Sequence, residues 1–270
     1  MRALRGDLLK GAMMTSRLLG ADEPAPVSIG HFGGGGPFFL ACDHAGRRIP
    51  ALLGRLGVPE SELQRHIAWD IGIWETSVRI ARALDAFLIG QTYSRLVIDC
   101  NRPPENPTMI PAVSESTPIP GNMELSAGAR ALRVSEVFMP YHDRIERELV
   151  ARGGQKLLFV AMHSFTDVYK GIERPWHAGV LFNQDQGISR IMLDLLRAEP
   201  GLVVGENEPY SVSDMSDYSA PVHAERRGLP YLELEIRQDL IATTAGEAEW
   251  AERLGRLLPE AWRRFTGASA

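Results

Sequence analysis

Strand-length apolar runs alternate with helical patterns along most of this chain, and this alternation is the feature that most constrains its fold. Six runs are bounded by turns or charged residues, as strands are: PFFLAC, AFLIGQTY, RLVIDC, KLLFVAM, GVLFN and PYLELEI. Strands separated by helices favour one mixed, mostly parallel sheet with helices on both faces. We therefore predict an α/β fold with a single domain over residues 37–270.

Two of the helical patterns are long enough to be described individually. In Ala245 to Phe265 the apolar positions share one helix face: Trp250, Leu254, Leu257, Leu258, Ala261 and Phe265. A similar amphipathic pattern runs from about Ser126 to Arg152. Pro140 must kink or divide this second helix, because proline has no N–H to donate and its ring clashes with the preceding turn.

Residues 1–36 differ from the rest and are predicted to form an N-terminal appendage that is partly flexible. The segment is polar, contains proline and alanine, and ends in HFGGGG, from His31 to Gly36. A glycine loop that binds phosphate follows a strand and opens a helix. Here the glycines precede the strand PFFLAC, so a flexible entry segment is the better interpretation.

Composition and charge exclude several classes of function. The formal net charge of −5 over 270 residues provides no basic face for nucleic acid. Cys42 and Cys100 are too few for a disulfide framework and form no CxxC pair. The N-terminus lacks the apolar core of a secretory signal, and no stretch approaches the roughly 18 apolar residues of a membrane span. We expect a cytoplasmic protein that binds neither nucleic acid nor membrane, and the sequence does not define its oligomeric state.

Polar side chains follow four of the predicted strands. Ligands of open α/β sheets bind beyond the carboxyl ends of the strands, so these positions are the candidates for a functional site. They are Asp43 and His44 after the first run, Asp99, Asn101 and Arg102 after the third, His163 and Ser164 after the fourth, and Glu233, Glu235 and Arg237 in the last.

Each of these groups also has a structural explanation when it is taken alone. A histidine at a strand end is more often hydrogen bonded than a ligand, and an Asn-Arg pair before two prolines fits a turn. Glu233, Glu235 and Arg237 alternate as a solvated strand face would. Together, however, two imidazoles and a carboxylate are ligands for zinc. A free glutamate beside a metal can take a proton from water, and an arginine can bind a substrate carboxylate.

Nine segments of the chain resemble the N-formylglutamate amidohydrolase (N-formylglutamate deformylase) family. In chain order they are CDHAGRRIP, RHIAWDIG, YSRLVIDCNRPP, IPGN, PYHDRIE, MHSFTD, RPWHAGVL, VGENEPY and ELEIRQDL. The resemblance spans about residues 38–258. The family is itself distantly similar to zinc carboxypeptidases and to aspartoacylase-type deacylases, which implies a phosphorylase/hydrolase-like, zinc-carboxypeptidase-like fold.

The resemblance also implies roles for individual residues. His44 and His163 correspond to zinc ligands, Asn101 and Arg102 to the pair that holds a substrate carboxylate, and Glu235 to the catalytic base. Carboxypeptidase-like enzymes take a carboxylate ligand three residues after the first histidine, where this chain has Arg47. The third ligand must therefore come from elsewhere.

Asp70 is the first choice for that ligand, because the deformylase branch of the family also carries an acid there. Asp43 is the second choice. An Asp70 that only caps or packs a helix remains an alternative.

Three further residues are predicted to act at the site. Arg174 is predicted to form a second contact with the substrate or to stabilise the oxyanion. The structural alternative is that it forms an ion pair with Glu173 or Asp167. Arg237 and His177 are predicted to contact the substrate.

The family resemblance implies a zinc-dependent amidohydrolase that converts N-formyl-L-glutamate and water into formate and L-glutamate, a step of histidine degradation. Two alternatives stay open. The chain could hydrolyse another N-acyl amino acid or a small peptide on the same fold, or it could bind acidic metabolites without catalysis. A pure binder needs no base, so His44, His163 and Glu235 argue against the last of these.

Overall fold

A seven-stranded sheet lies at the centre of the computed structural model, which describes residues 17–32, 34–184 and 186–267. In chain order the strands are β1 (Val27–His31), β2 (Phe38–Cys42), β3 (Phe87–Gln91), β4 (Val113–Ser114), β5 (Thr117–Pro118), β6 (Leu158–Phe165), β7 (Val168–Tyr169), β8 (Ile172–Glu173), β9 (Ala178–Leu181), β10 (Val204–Glu206) and β11 (Tyr231–Arg237). The main sheet has the order β1-β3-β2-β6-β11-β9-β10, while β4 with β5 and β7 with β8 form two separate ribbons.

The sheet is mixed and mostly parallel, which confirms the predicted fold class. The four central strands β3, β2, β6 and β11 run parallel to one another, whereas β1 is antiparallel to β3 and β9 is antiparallel to β11. The carboxyl ends of β2, β6 and β11 therefore meet at one edge. In the β6–β11 pairing Glu235 lies opposite His163, which brings two predicted site residues side by side.

Helices cover both faces of the sheet, as predicted. They are α1 (Glu60–Leu63), α2 (Ile73–Leu84), α3 (Ala127–Arg133), α4 (Met139–Ala151), α5 (Gly187–Arg197) and α6 (Thr244–Thr266). Successive strand residues point to opposite faces. Accordingly, Leu40 and Leu232 pack in one apolar cluster with α2, α5 and α6, and Phe39 and Phe159 pack in the other with α4.

Both long helical patterns form helices. The predicted apolar face of α6 is buried except at its end, where Phe265 is 37% exposed. The second pattern is divided at the expected place: α3 passes into a π-helical turn, Val134–Phe138, and α4 follows with Pro140 in its first turn. Because proline has no N–H, the α-helical bonding pattern cannot continue through Pro140, and the wider turn lies directly before it.

The run RLVIDC was predicted to be a strand, and this prediction is wrong. Its residues form a buried loop after β3. β3 already pairs with β1 and β2, so no edge beside it is free. The backbone of the loop is satisfied by side chains instead: Asn122 donates to the carbonyl of Leu96, and Arg133 donates to that of Val97. The apolar character of this run therefore indicates that the segment is buried, and it does not indicate a strand.

The appendage prediction also needs a correction. Val27–His31, which lies inside the predicted appendage, is β1 of the main sheet and pairs with β3. Its polar, glycine-containing sequence fits an edge strand that is only partly buried. Residues 1–16 lie outside the described part of the chain, so a separate role for them stays a prediction. In the described ranges no helix has the length and apolar character needed to cross a membrane.

Candidate active site

A cavity of about 830 Å³ lies at the carboxyl ends of β2, β6 and β11. His44 follows β2, His163 lies near the end of β6, and Glu235 lies near the end of β11. Asp70 reaches the same place from the loop before α2, where its own N–H donates to the carbonyl of His44. The parallel arrangement thus brings together residues that are far apart in sequence.

His44, Asp70 and His163 form a cluster that could hold a metal ion. One ligand atom from each lies within 4.8 Å of the others, and all three residues are buried. Asp70 Oδ2 is 3.4 Å from His44 Nδ1 and 3.2 Å from His163 Nδ1. His44 Nδ1 has no hydrogen-bond partner among the described residues despite its burial. Two imidazole nitrogens and a carboxylate oxygen are a donor set that zinc accepts, so these residues fit a metal.

The outer nitrogens of both imidazoles face further carboxylates. His44 Nε2 donates to Asp99 Oδ1 at 2.7 Å, and His163 Nε2 lies 3.5 Å from Asp43 Oδ2. Such contacts orient metal-binding histidines and increase their basicity. Asp43 also accepts a hydrogen bond from Ser219 Oγ at 2.6 Å. It therefore lies behind His163, and Asp70 is the better placed of the two predicted carboxylate ligands.

Neighbouring charges and hydrogen bonds shift the pKa values of the residues in this cluster. Burial alone would lower the pKa of His163, but hydrogen bonds with Asp43 and Asp70 raise it well above its usual value. Burial would raise the pKa of Asp70, but the neighbouring His44 and His163 hold it below its usual range. The carboxylate is thus fully ionised at neutral pH and faces two imidazoles. A divalent cation in the same space would replace the protons that these imidazoles share with the carboxylates.

Glu235 and Glu233 lie on the cavity side of β11 and are both buried, which excludes the solvated strand face as an explanation. Burial raises the pKa of Glu235 to about 7. Burial and the nearby Asp217 raise the pKa of Glu233 well above its usual value. The Oε2 atoms of both have no hydrogen-bond partner in the described ranges. Glu235 therefore has the acidity of a group that exchanges protons near neutral pH.

Asn101 and Arg102 line the cavity, but both are partly engaged by the segment around Asp217. Asn101 Nδ2 donates to Asp217 Oδ1 at 3.1 Å, and its Oδ1 accepts from the N–H groups of Tyr218 and Ser219. Arg102 donates to the carbonyl of Ser216 and lies 3.6 Å from Asp217 Oδ1. The amide of Asn101 thus holds the loop, and the guanidinium of Arg102 has further N–H donors to offer.

Arg174 lies behind the cavity wall. Its guanidinium contacts the rings of Tyr169 and Tyr210, each 4.7 Å away, and donates to Tyr210 Oη at 2.9 Å. Both tyrosines line the cavity. No carboxylate of the described residues lies within 4.0 Å of Arg174, so the alternative ion pair with Glu173 or Asp167 does not form. A buried guanidinium that lacks a carboxylate is suited to an anionic ligand.

Like Arg174, the predicted site residues Arg237 and His177 do not line the cavity. Arg237 turns back to Asp239, with Nε 2.7 Å from Oδ1, and towards the carbonyls of Arg174 and Trp176. His177 lies just before β9, and its Nδ1 accepts from the N–H of Val203 at 2.9 Å. Both side chains form hydrogen bonds with segments next to the strand ends, contrary to the prediction that they contact the substrate.

Sequence reasoning missed Arg95 and Asp217 as cavity residues. Arg95 donates to Asp99 Oδ2 at 2.6 Å and lies 3.5 Å from Asp70 Oδ1, so it holds the carboxylates around the cluster. The spacing of Arg95 and Asp99 by four residues is a pairing signal only in a helix or turn, and the segment was predicted to be a strand. Asp217 lies in a polar loop that carries no motif.

Comparisons with known proteins give the family. The sequence model of N-formylglutamate amidohydrolase matches residues 36–242. The crystal structure of a gene product from Agrobacterium tumefaciens is 35% identical with a TM-score of 0.88, over 92% of this chain and 99% of that one. N-formylglutamate amidohydrolase from Ralstonia eutropha JMP134 is 18% identical with a TM-score of 0.67, over 91% and 100%. No curated protein matches significantly.

The fold and its cavity define an α/β protein with a site beyond the carboxyl ends of its parallel strands. Since the family model covers most of its length, the chain belongs to the N-formylglutamate amidohydrolase family. The resemblance found in the nine sequence segments is thereby confirmed, and with it the expectation of an enzyme that hydrolyses an amide.

Proposed function

We propose that this enzyme hydrolyses the N-acyl amide of an acidic amino acid with a bound divalent metal, most simply N-formyl-L-glutamate to formate and L-glutamate. The observation that carries the proposal is the buried cluster of His44, Asp70 and His163 beside Glu235. A protein that only binds acidic metabolites has no use for a buried glutamate whose pKa is near 7.

His44, His163 and Asp70 would hold the metal, for which zinc is the best match to two imidazoles and one carboxylate. A zinc ion held by these residues would supply a water with a pKa of about 7 and a Lewis acid for the carbonyl. Asp99 and Asp43 keep the two imidazoles in the orientation that presents Nδ1 to the ion. Arg95 balances the charge of Asp70 and Asp99 from the opposite side.

Glu235 is assigned the proton transfers. In hydrolysis, the oxygen of water bonds to the acyl carbon, the carbon–nitrogen bond breaks, and the leaving nitrogen takes up a proton. Glu235 accepts the proton of the attacking water and delivers it to that nitrogen. A pKa of about 7 suits both halves of this cycle, because the group is then neither too weak a base nor too weak an acid.

Recognition of the acidic amino acid is assigned to Arg102 and Arg174. Arg102 faces the cavity with free N–H donors, whereas Arg174 does not line the cavity and donates to Tyr210 Oη, which does. A glutamyl substrate carries two carboxylates, so Arg102 would bind one, and the hydroxyl of Tyr210, held by Arg174, would donate to the other. Asn101 contributes by tying the loop that it shares with Arg102 to the loop that carries Asp217.

The experiment that tests the proposal measures metal content and hydrolysis on the same purified protein. We expect about one zinc per chain, release of formate from N-formyl-L-glutamate, loss of activity with a chelator and recovery with zinc. The α-amide of the substrate and N-formylglutamine should react more slowly, since each lacks one carboxylate. No metal after incubation with zinc, or zinc bound with no amide hydrolysed, would contradict the proposal.

A further inference from the structure

One loop, residues 213–219, contacts the candidate site at two points, and we call it the bridging loop. The carbonyl of Ser216 accepts a hydrogen bond from the guanidinium of Arg102, which is proposed to bind a substrate carboxylate. Ser219 Oγ donates to Asp43 Oδ1 at 2.6 Å, and Asp43 Oδ2 lies 3.5 Å from one imidazole of the metal-ligand cluster. The bridging loop thus connects the residue assigned to substrate recognition with the residues assigned to metal binding.

Asp217 holds the bridging loop in its conformation. The residue is 8% exposed, and its Oδ2 accepts hydrogen bonds from the N–H of Ser213 at 3.1 Å and from Ser216 Oγ at 2.5 Å. Its own N–H donates to the carbonyl of Ser213 at 2.9 Å and closes the turn. Side-chain acceptors of this kind stabilise turns by binding backbone N–H groups that lack a partner in a helix or sheet. The Asp217 carboxylate therefore determines where the Ser216 carbonyl lies.

The same carboxylate joins the bridging loop to the segment that carries Arg102. Asp217 Oδ1 accepts a hydrogen bond from Asn101 Nδ2 at 3.1 Å, and Asn101 Oδ1 accepts from two backbone N–H groups of the bridging loop. Asn106 Nδ2 donates to a carbonyl of the same loop at 2.9 Å. These contacts fix Arg102 through its backbone, in addition to the contact of its side chain with the Ser216 carbonyl.

Asp217 lies close enough to Arg102 to affect it in either of two opposite ways. An acid that only offset the positive charge would compete with a substrate carboxylate, whereas an acid that orients the guanidinium would favour its binding. The contacts support the second role, because Asp217 Oδ1 is 3.6 Å from Arg102 Nη1, too far for a hydrogen bond, and both carboxylate oxygens accept hydrogen bonds from other groups. Nε and Nη2 of Arg102 form no hydrogen bond with the described residues, so two N–H groups are left to hold a carboxylate.

We infer that Asp217 is a positioning residue: through the bridging loop it fixes the guanidinium of Arg102 and thereby sets the preference for a substrate with a free carboxylate. The inference rests on the proposed amide hydrolysis and specifies how its acidic substrate is recognised. A carboxylate bound at a fixed guanidinium also limits the distance between the substrate's amide and the metal-ligand cluster, because carboxylate and amide belong to one molecule.

The test compares N-formyl-L-glutamate with its α-amide and with N-formyl-L-glutamine on the zinc-loaded enzyme. Asp217→Asn replaces one acceptor oxygen by an NH2 group, which cannot accept a hydrogen bond from Asn101 or from the donors of the bridging loop. We expect KM for N-formyl-L-glutamate to rise about tenfold and kcat to change less, because Arg102 keeps its charge but loses its orientation. The kcat/KM ratio of the diacid to one of the two amides, the one that lacks the carboxylate bound by Arg102, should fall by a similar factor. The ratio to the other amide should stay unchanged.

A milder variant and a matched control accompany this substitution. Ser216→Ala removes one donor to the Asp217 carboxylate and keeps the carbonyl that binds Arg102. It should lower the same ratio about threefold. Asp214→Asn is the control, because Asp214 lies in the same loop and loses the same charge but is exposed and does not line the cavity. It should leave the kinetics of all three substrates unchanged.

A purely structural role for Asp217 would lower kcat/KM for all three substrates by one factor and leave both ratios unchanged, and this result would overturn the inference. A lower KM for N-formyl-L-glutamate in Asp217→Asn would also overturn it, because the acid would then be a competitor of the substrate. The melting temperature shows whether each variant is folded, and if Asp217→Asn is not, the ratios in Ser216→Ala give the answer. Hydrolysis of none of the three amides by the wild-type enzyme would instead show that the proposed function is wrong.

Discussion

At the scale of single residues, Glu233 and Glu235 show how neighbouring identical side chains acquire different chemistry. They lie two residues apart on the same face of β11, and both are buried. Burial and the nearby Asp217 raise the pKa of Glu233 well above its usual value, and burial raises that of Glu235 to about 7. Glu235 is therefore near its midpoint at neutral pH, and the surroundings of Glu233 favour its uncharged form. The two positions make a matched pair for mutation.

We predict that Glu235→Gln lowers kcat at least about 10²-fold while zinc remains bound, because the substitution removes the base and keeps the size of the side chain. Glu233→Gln should change kcat only a few-fold, since burial and Asp217 favour the uncharged form of Glu233 and glutamine keeps its size without a charge. Steady-state kinetics and metal analysis of both variants check this. Equal losses in the two variants would show that Glu235 has no special role.

At the scale of elements, two helical segments meet at a buried pair of histidines below the Asn101 loop. His142 of α4 donates from Nε2 to the carbonyl of Cys100, so its Nδ1 must be an acceptor. His223, in the π-helical turn Ala220–Ala224, therefore donates from Nε2 to this atom at 2.9 Å. Its own Nδ1 has no partner within the described ranges. The pair fixes the backbone from which Asn101 and Arg102 extend.

This pair predicts a loss of stability in mild acid. Burial lowers the pKa of His142 to about 3 and that of His223 to about 4, whereas the unfolded chain binds a proton at each near pH 6.5. Because the unfolded state then binds more protons, the free energy of unfolding falls as pH decreases from about 6.5 towards 4.

His223→Gln keeps a donor to His142 and removes one titrating group. Its pH dependence should be shallower than that of the wild type by about 1.4 kcal/mol per pH unit in that window. Urea unfolding at several pH values measures the difference, and identical slopes would count against the buried neutral pair.

Sequence reasoning predicted a strand correctly where an apolar run pairs within the sheet. It failed where an apolar run is buried without such a pairing. β2, β6 and β11 were found because their runs are fully buried, and His44, His163 and Glu235 followed from their ends. RLVIDC is equally apolar but has no strand to pair with. The position of Arg237 could not be predicted either, since period-two alternation gives the face of a strand but not the partner that a long side chain finds.

At the scale of the whole molecule, the cluster joins segments that are otherwise distant in the chain. His44 follows β2, Asp70 precedes α2, His163 belongs to β6 and Glu235 to β11, so about 190 residues separate the first from the last. Only the complete sheet brings them together. A ligand of this cluster binds the folded chain and not the unfolded one, and by mass action it stabilises the fold.

We predict that zinc raises the melting temperature. At a free zinc concentration 100 times its Kd, the gain is about 2.7 kcal/mol, or roughly 5–10 °C for a chain of this size. His163→Ala should abolish the shift, and His177→Ala, which replaces a histidine outside the cavity, should retain it. Thermal unfolding with and without zinc measures this shift, and the result does not depend on the identity of the substrate. A shift that survives in His163→Ala would place the metal elsewhere.

The pairing of Glu235 with His163 across β6 and β11 also limits how such a chain can change in length over evolution. Adding or deleting one residue between Tyr231 and Glu235 would move the carboxyl group to the opposite face of the sheet, among the helices. An even change would keep the face but shift the group along the strand by about 7 Å. Insertions in the loops leave this pairing intact, so we expect this fold to tolerate changes of chain length there and not within β6 or β11.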